Sequence, residues 1–408
     1  MGMSAIPRRP TQLGSMVQLG SNAQNDFTSD EAASPEEISV EVPRGTAIRQ
    51  STQQQLYLSV SFLPAPTRRL IVFDPPRQRQ RWGDNQVLPH VNWGDLYFDL
   101  FYVAAAYNLS YVLIAETTTT SYEGLLYFIG LFGPILVDWF TVTFFDARFS
   151  TAPDPWHGIL DVVRYCFLAT AVVHIRPPYE MRLPYTFVDM FGYSLGCTCL
   201  TVMNIYKSSE LVVKGIGDKQ ALKHAGRSDI MGFSFQFVFY LAATCVSGIA
   251  YFGNTEEHAD VANVDSLDDK VTHLPIILMI AGWGSDVMFF MLNMMQANKT
   301  DEEFANCSIV PLNVGYCIHR TGELVMILLG ESILSLLIVE TSTNIEYYIC
   351  MYAGIVSCTL LMYLYYKYQP HHPEDHALCG NWAAMAWYYF FILIFCFALI
   401  GIGTSYKM

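Results

Sequence analysis

Charge is scarce in this 408-residue chain: 15% of its residues are Asp, Glu, Lys or Arg, against 52% hydrophobic and 14% aromatic. Ordinary soluble proteins carry about 25% charged residues, so most of this chain is not built to face water. A basic surface is also missing. The net charge is −14, with the acidic excess in one loop and inside apolar segments, which argues against a nucleic-acid partner. The N-terminus lacks the short apolar core of a secretory signal peptide. No glycine-rich phosphate loop and no nucleophile–base motif occurs, and Gly330-Glu331-Ser332 falls inside an apolar run rather than at a strand-to-helix elbow. An enzyme and a bound cofactor are therefore not expected. Most of the ten cysteines, Cys197, Cys199, Cys245 and Cys396 among them, lie in apolar segments and read as small buried hydrophobes. No zinc spacing surrounds Cys197 and Cys199. His371, His372 and His376 read as a solvated junction in preference to a metal site.

Residues 1–90 are rich in Ser, Gln, Pro, Arg and Glu and show no sustained apolar period. They cannot bury enough surface to offset chain entropy, so a mostly disordered cytoplasmic arm is expected there. The patch SVSFLPAPTRRLIVF, ending at Phe73, is its one candidate for an ordered or membrane-surface piece. From Trp93 onward the chain breaks into apolar stretches of about 20 residues, the length that crosses the hydrocarbon core as a helix. They fall near 94–115, 122–145, 157–175, 184–206, 230–252, 274–297, 320–340, 346–366 and 384–404. The fold class is thus all-α, a polytopic transmembrane helical bundle over 91–408 embedded in a lipid bilayer.

Lys and Arg in the short loops set the orientation. Arg68, Arg69, Arg77, Arg79 and Arg81 precede the first span, and the loop after the fourth holds Lys207, Lys214, Lys219, Lys223 and Arg227. The loop after the fifth is acidic, with Glu256, Glu257, Asp260, Asp265, Asp268 and Asp269. Arg176 and Arg182 dissent, but the balance puts the N-terminus in the cytoplasm and Met408 outside.

The stretch HRTGELVMILLGESILSLLIV, 319–339, is the expected centre of the bundle. Its Arg320 and Glu331 fall within about 20° of each other on one helix face, separated along the axis by about 16 Å. A lone charge at such depth costs about 2.5–3.5 kcal/mol on insertion scales, so it is paired, protonated or facing a water-filled cavity. Other spans carry Asp95, Asp99, Asp138, Asp161, Arg164, Asp189, Asp286 and Glu323. Asp95, Asp161 and Asp189 sit at expected interfaces, where a capping role suffices. Asp99, Asp138, Asp286, Glu323 and Glu331 lie deeper, and the two arginines cannot balance them all. That excess points to protons or small cations. Depth favours Arg164 against Glu331 or Asp99, and Arg320 with Glu323 or Asp95.

Three segments together resemble the low temperature requirement A family of membrane proteins. WGDLYFDLFYVAAA is similar to that family's opening E-L-F-F-D-L-V-F-V stretch, with Asp95 where Glu is usual and Asp99 matching the aspartate. Trp139 and the later Arg148-Phe149 resemble its second-span tryptophan and following R-F. RTGELVMILLGES resembles its E-R-F-G-L…L-G-E-S segment: Arg320, Gly322, Gly330, Glu331 and Ser332 match, and His319 takes the place of the family's glutamate. HALCGNWAAMAWYYFFILIFCFALIGIG resembles a later family helix. The resemblance covers roughly 90–404 and implies a polytopic helical membrane protein, without supplying a reaction.

Two functions compete. One is a proton- or cation-coupled transporter with Glu331, Arg320, Glu323, Arg164, Asp99, Asp138 and Asp286 along its path. The other is a non-transporting scaffold or a cold- and stress-adaptation factor, whose buried charges only fix helix packing. A Gly-acid-Leu at the start of both the first and the seventh span hints at two parallel halves. On that expectation the chain stops short of a larger bundle.

Overall fold

In a computed structural model the described residues are 73–79, 93–117, 122–151, 154–176, 186–254, 269–297, 310–338, 345–370, 375–379 and 382–406. All belong to one unit, 69–408; the other unit, 1–68, lies outside the described residues. Nine long helices occur among them: α1 Trp93–Thr117, α2 Glu123–Arg148, α3 Pro155–Val173, α4 Thr186–Lys214, α5 Lys219–Asn254, α6 Asp269–Ala297, α7 Val314–Leu337, α8 Ile345–Tyr368 and α9 Trp382–Ser405. Each contains the body of one expected span. Seven are long and apolar enough to cross a membrane by length and composition. The other two, α4 and α7, have 29 and 24 residues, and charged residues (Arg320, Glu323 and Glu331 in α7, Lys207 and Glu210 in α4) interrupt their apolar runs.

The largest departure lies between α4 and α5. The basic residues 207–227, expected in a loop, are almost all helical, and only residues 215–218 separate the two helices. The 36 residues of α5 rise about 54 Å, well beyond a hydrocarbon core of about 30 Å. Its lysine-bearing first turns therefore extend past the membrane, where water satisfies them.

Local signals set several ends. Asp154 caps α3, its side chain accepting from the His157 backbone N–H with Pro155 just inside, and Asn313 does the same for α7 by accepting from Tyr316. The helix α2 is the hub, touching α1, α4, α6, α7 and α9; 72% of its span is buried, against 11% for α8. The centre expected at 319–339 is thus shared. The reason is shape: α2 lines up Leu131, Phe132, Ile135, Leu136, Trp139 and Phe140, all buried, whereas α7 lays one flank against α8.

Small residues let the helices approach, as lipid-soluble helices require. Gly130 lies beneath the Ile276 side chain and Gly133 beneath the Trp283 ring, so α2 meets α6 along a smooth face. Between α4 and α5, Thr198 and Thr244 share a hydroxyl hydrogen bond of 3.0 Å. Gly403 of α9 leaves room for the α7 backbone: a Cβ there would stand 2.6 Å from Ser332 Cα. Gly403→Ala should therefore destabilise the bundle by about 1–3 kcal/mol through overpacking. Gly401→Ala, with nothing within 4 Å, is the matched control. Thermal midpoints in detergent compare the two, and equal values would refute the close-approach reading.

Residues 73–79 fall inside the stretch read above as an arm, and they lie across one end of the bundle. Arg77–Gln78 (β1) pairs antiparallel with Phe149–Ser150 (β2), and Gln78 N–H donates to Ile216 O at 2.9 Å. Phe73 stacks on His157 and lies under Lys214 Nζ, while the Asp74 N–H donates to Asp154 Oδ2. Burial acts to raise the pKa of Asp154, but the backbone N–H groups of Asp74 and His157 and the His157 ring outweigh it and hold the carboxyl below its ordinary value.

Candidate functional site

Two charged clusters sit side by side in the bundle, joined by neighbouring residues of α2. In the first, Arg320 of α7 holds Asp99 of α1 with two parallel bonds, Nη1 to Oδ2 and Nη2 to Oδ1, both 2.8 Å. This bidentate form is the strong geometry for guanidinium and carboxylate. Arg320 Nη1 also donates to Glu323 Oε2 at 2.6 Å. Trp139 Nε1 donates to Asp99 Oδ1 at 2.9 Å, and the guanidinium lies 5.4 Å from the Trp139 ring centroid. Tyr316 OH donates to Asp95 Oδ2 at 3.3 Å one turn away on α1.

In the second cluster Arg164 of α3 donates from Nη1 to Asp138 of α2 at 3.2 and 3.3 Å. Its Nη2 donates to Asn204 Oδ1 of α4, and Asn204 Nδ2 donates back to Asp138 Oδ1 at 3.0 Å. Tyr102 OH of α1 reaches Asp138 Oδ2 at 3.5 Å. Arg164 and Arg320 are 2% and 4% exposed, as dry as the apolar core around them.

These contacts revise the expected pairings. Arg164 faces Asp138, not Glu331 or Asp99, because Asp99 is already taken by Arg320 from the opposite side of α1. Arg320 does hold Glu323, as expected, but its stronger partner is Asp99; Asp95 bonds Tyr316 instead. Glu331 is buried, 3% exposed, about 16 Å along α7 from Arg320, and belongs to neither cluster. Asp161 meets Lys207 and Asp189 meets His174, both at partly exposed positions consistent with an interface. His376 is not solvated: it is buried against the Tyr388 ring, and burial pushes its imidazole pKa down. His371 and His372 lie outside the described residues.

Beside the second cluster lies a cavity of about 970 Å³ between α2, α3, α4, α5, α6 and α9, a size typical of small-molecule sites. Buried Arg164 and Asn204 form its deep end. Phe144 and Phe145 of α2, Phe233 of α5, Phe289 and Phe290 of α6 and Tyr389 of α9 line its wall, and exposed Lys219, Lys223 and Arg227 stand at its mouth. Asp286 also lines it. Unlike Asp99 and Asp138, this carboxylate makes no ion pair or side-chain hydrogen bond among the described residues; Asp229 nearby is paired with Arg148 at 3.4 Å. The cavity does not reach the Arg320 cluster or Glu331.

Asn204 and Tyr102 carry no charge, so the charged residues of the spans do not point to them. A polar amide at the centre of an apolar run is itself a signal of an interhelical bond. Comparison with curated proteins and with solved structures finds no match. The family model described as bacterial low temperature requirement A protein matches residues 90–408, which takes in every one of the nine helices. The chain belongs to the low temperature requirement A family, as an integral, multi-pass membrane protein.

Proposed function

We propose that the protein is a carrier coupled to protons or small cations, with no enzymatic step and no nucleic-acid partner, and that Asp286 is its coupling group. One observation carries this reading: Asp286 is a carboxylate within a span, facing a cavity and without a cationic partner among the described residues. A charge so placed is costly unless it exchanges a proton or a cation with the cavity. Arg164 at the same cavity is already held by Asp138 and Asn204, so it is not free to balance Asp286. The second reading, a membrane scaffold for stress or cold adaptation, draws its support from the Arg320–Asp99–Glu323 cluster, which is paired throughout and away from the cavity. Those three residues, first expected along a path, serve better as struts.

Purified protein in liposomes with an internal pH-sensitive dye tests the coupling. Imposed gradients of candidate cations should drive proton movement in the wild type. Asp286→Asn should abolish it while the folding stability stays within about 1 kcal/mol of wild type, since no partner among the described residues is lost. Flux that survives in the variant, or no flux with any cation in the wild type, ends the reading.

Orientation follows from the loop charges, with the mouth of the cavity and the N-terminus in the cytoplasm. In a background without exposed native cysteines, a cysteine at 215–218 should resist an impermeant reagent added outside, and one at 255–268 should react. The reverse labelling pattern overturns this orientation.

A further inference from the structure

The mouth of the cavity holds more positive charge than its surroundings use. Six cationic side chains line the cavity against two acids. Arg164, Arg148 and Lys207 are spoken for by Asp138, Asp229 and Asp161. Lys219, Lys223 and Arg227 are exposed and meet no acid within ion-pair distance among the described residues. They are four residues apart on α5, so they stack on one face with about 6 Å of rise per step. Two such cations can hold one phosphate or carboxylate together, with Arg227 supplying the fork geometry that oxyanions prefer. His224 stands beside them at the same rim. Further in, the lining turns aromatic, with phenylalanines from three helices and Tyr389. A free inorganic anion has no use for such a wall, and a neutral apolar solute has none for the rim.

We infer that the cavity binds an amphiphile with an oxyanion head, the phosphate or carboxylate held by Lys219, Lys223 and Arg227 and the apolar body laid along the phenylalanine wall toward Asp286. This rests on the cavity being the working site, as the coupling reading has it, but binding is measured apart from flux. The head sits at the height where α5 leaves the bilayer, so the ligand comes either from an anionic lipid or from a soluble single-chain acid. Both present the same chemistry to the site.

Decyl phosphate is the probe, titrated into purified protein in neutral detergent and followed by thermal shift. It should bind saturably, and more weakly as salt is raised. Decanol and inorganic phosphate, each carrying one half of the chemistry, should bind at least about tenfold more weakly, since a tenfold loss needs only one good contact of about 1.4 kcal/mol. Lys223→Gln combined with Arg227→Gln should weaken decyl phosphate by about tenfold or more and leave the unliganded midpoint unchanged, because both side chains are exposed. Decanol binding as tightly overturns the head; inorganic phosphate binding as tightly overturns the body; an unaffected double variant overturns the location. Repeating the titration in nanodiscs with and without phosphatidate separates the sources. Competition assigns a lipid and its absence a soluble acid, and either supports the shared chemistry. Binding without proton flux would overturn the coupling reading alone, and flux without binding would overturn this one.

Discussion

Asp99→Leu should unfold a large share of the protein, with a loss of about 3–5 kcal/mol, the usual penalty for removing one partner of a buried ion pair. The change takes two 2.8 Å bonds from Arg320 and the acceptor from Trp139 Nε1. Glu323 remains on Arg320 Nη1, but it accepts from that one nitrogen and is more exposed than Asp99. Natural stabilities are only about 5–15 kcal/mol, so the folded yield after extraction should fall sharply. Adding Arg320→Met, which keeps an apolar side chain of comparable length, should restore most of the midpoint, since replacing a whole buried pair by packed apolar residues is often neutral or stabilising. Size-exclusion profiles and thermal midpoints for the two single variants and the double read the coupling directly. A stable Asp99→Leu protein, or a double variant no better than the worse single one, would show that the pair is not a strut.

The second cluster should respond asymmetrically. Asp138→Leu strands the guanidinium of Arg164, which cannot shed its charge at any accessible pH. Arg164→Met strands a carboxylate, which can take up a proton and become neutral while keeping its bonds to Tyr102 and Asn204. Asp138→Leu should therefore cost about 3–5 kcal/mol at every pH. Arg164→Met should be the milder change, and it should recover stability as the pH falls, because protonation removes the stranded charge. Midpoints of both variants across a pH series, each set against wild type, distinguish the two. Parallel curves for the two variants would mean that charge balance is not what Asp138 and Arg164 contribute to the fold.

The nine helices were legible because a run of about 20 largely apolar residues admits few other structures; seven of them are apolar enough to cross a membrane, and α4 and α7 follow the same pattern with more polar interruptions. Depth was legible too: Asp138 and Arg164 stand at matching heights on α2 and α3, and Arg320 sits low on α7. Lateral position was not. Depth alone left Arg164 open to Asp99 and Glu331, and only the packing of α1 between α3 and α7 decides that Asp99 turns toward Arg320. The ends of α4 and α5 escaped for another reason. Lysine-rich stretches read equally well as loops or as helix that has left the membrane, since Lys is a good helix former. That Asp286 meets no cation among the described residues has no sequence signature, because a missing partner is a property of neighbours. Likewise, nothing in the composition of residues 73–79 marks them as paired to Phe149–Ser150.

The glycine face of α2 has a mechanical consequence. The clusters tie α1, α2, α3, α4 and α7 together through directional bonds that a slip of one residue would break, since Asp138 and Trp139, adjacent on α2, serve opposite sides. Those five helices form one bonded unit. The helix α6 carries Asp286 but holds no ion pair to any of them among the described residues; it meets α2 through Ile276 over Gly130, Trp283 over Gly133, Phe290 stacked on Phe144 and a 3.3 Å hydrogen bond between Tyr127 and His273. Apolar packing of this kind restrains a small lengthwise shift less than a buried ion pair does, as at a shear interface. On the coupling proposed above, the helix that carries the coupling group is α6, which packing and one hydrogen bond hold to α2, whereas ion pairs and polar networks hold the five helices of that unit together.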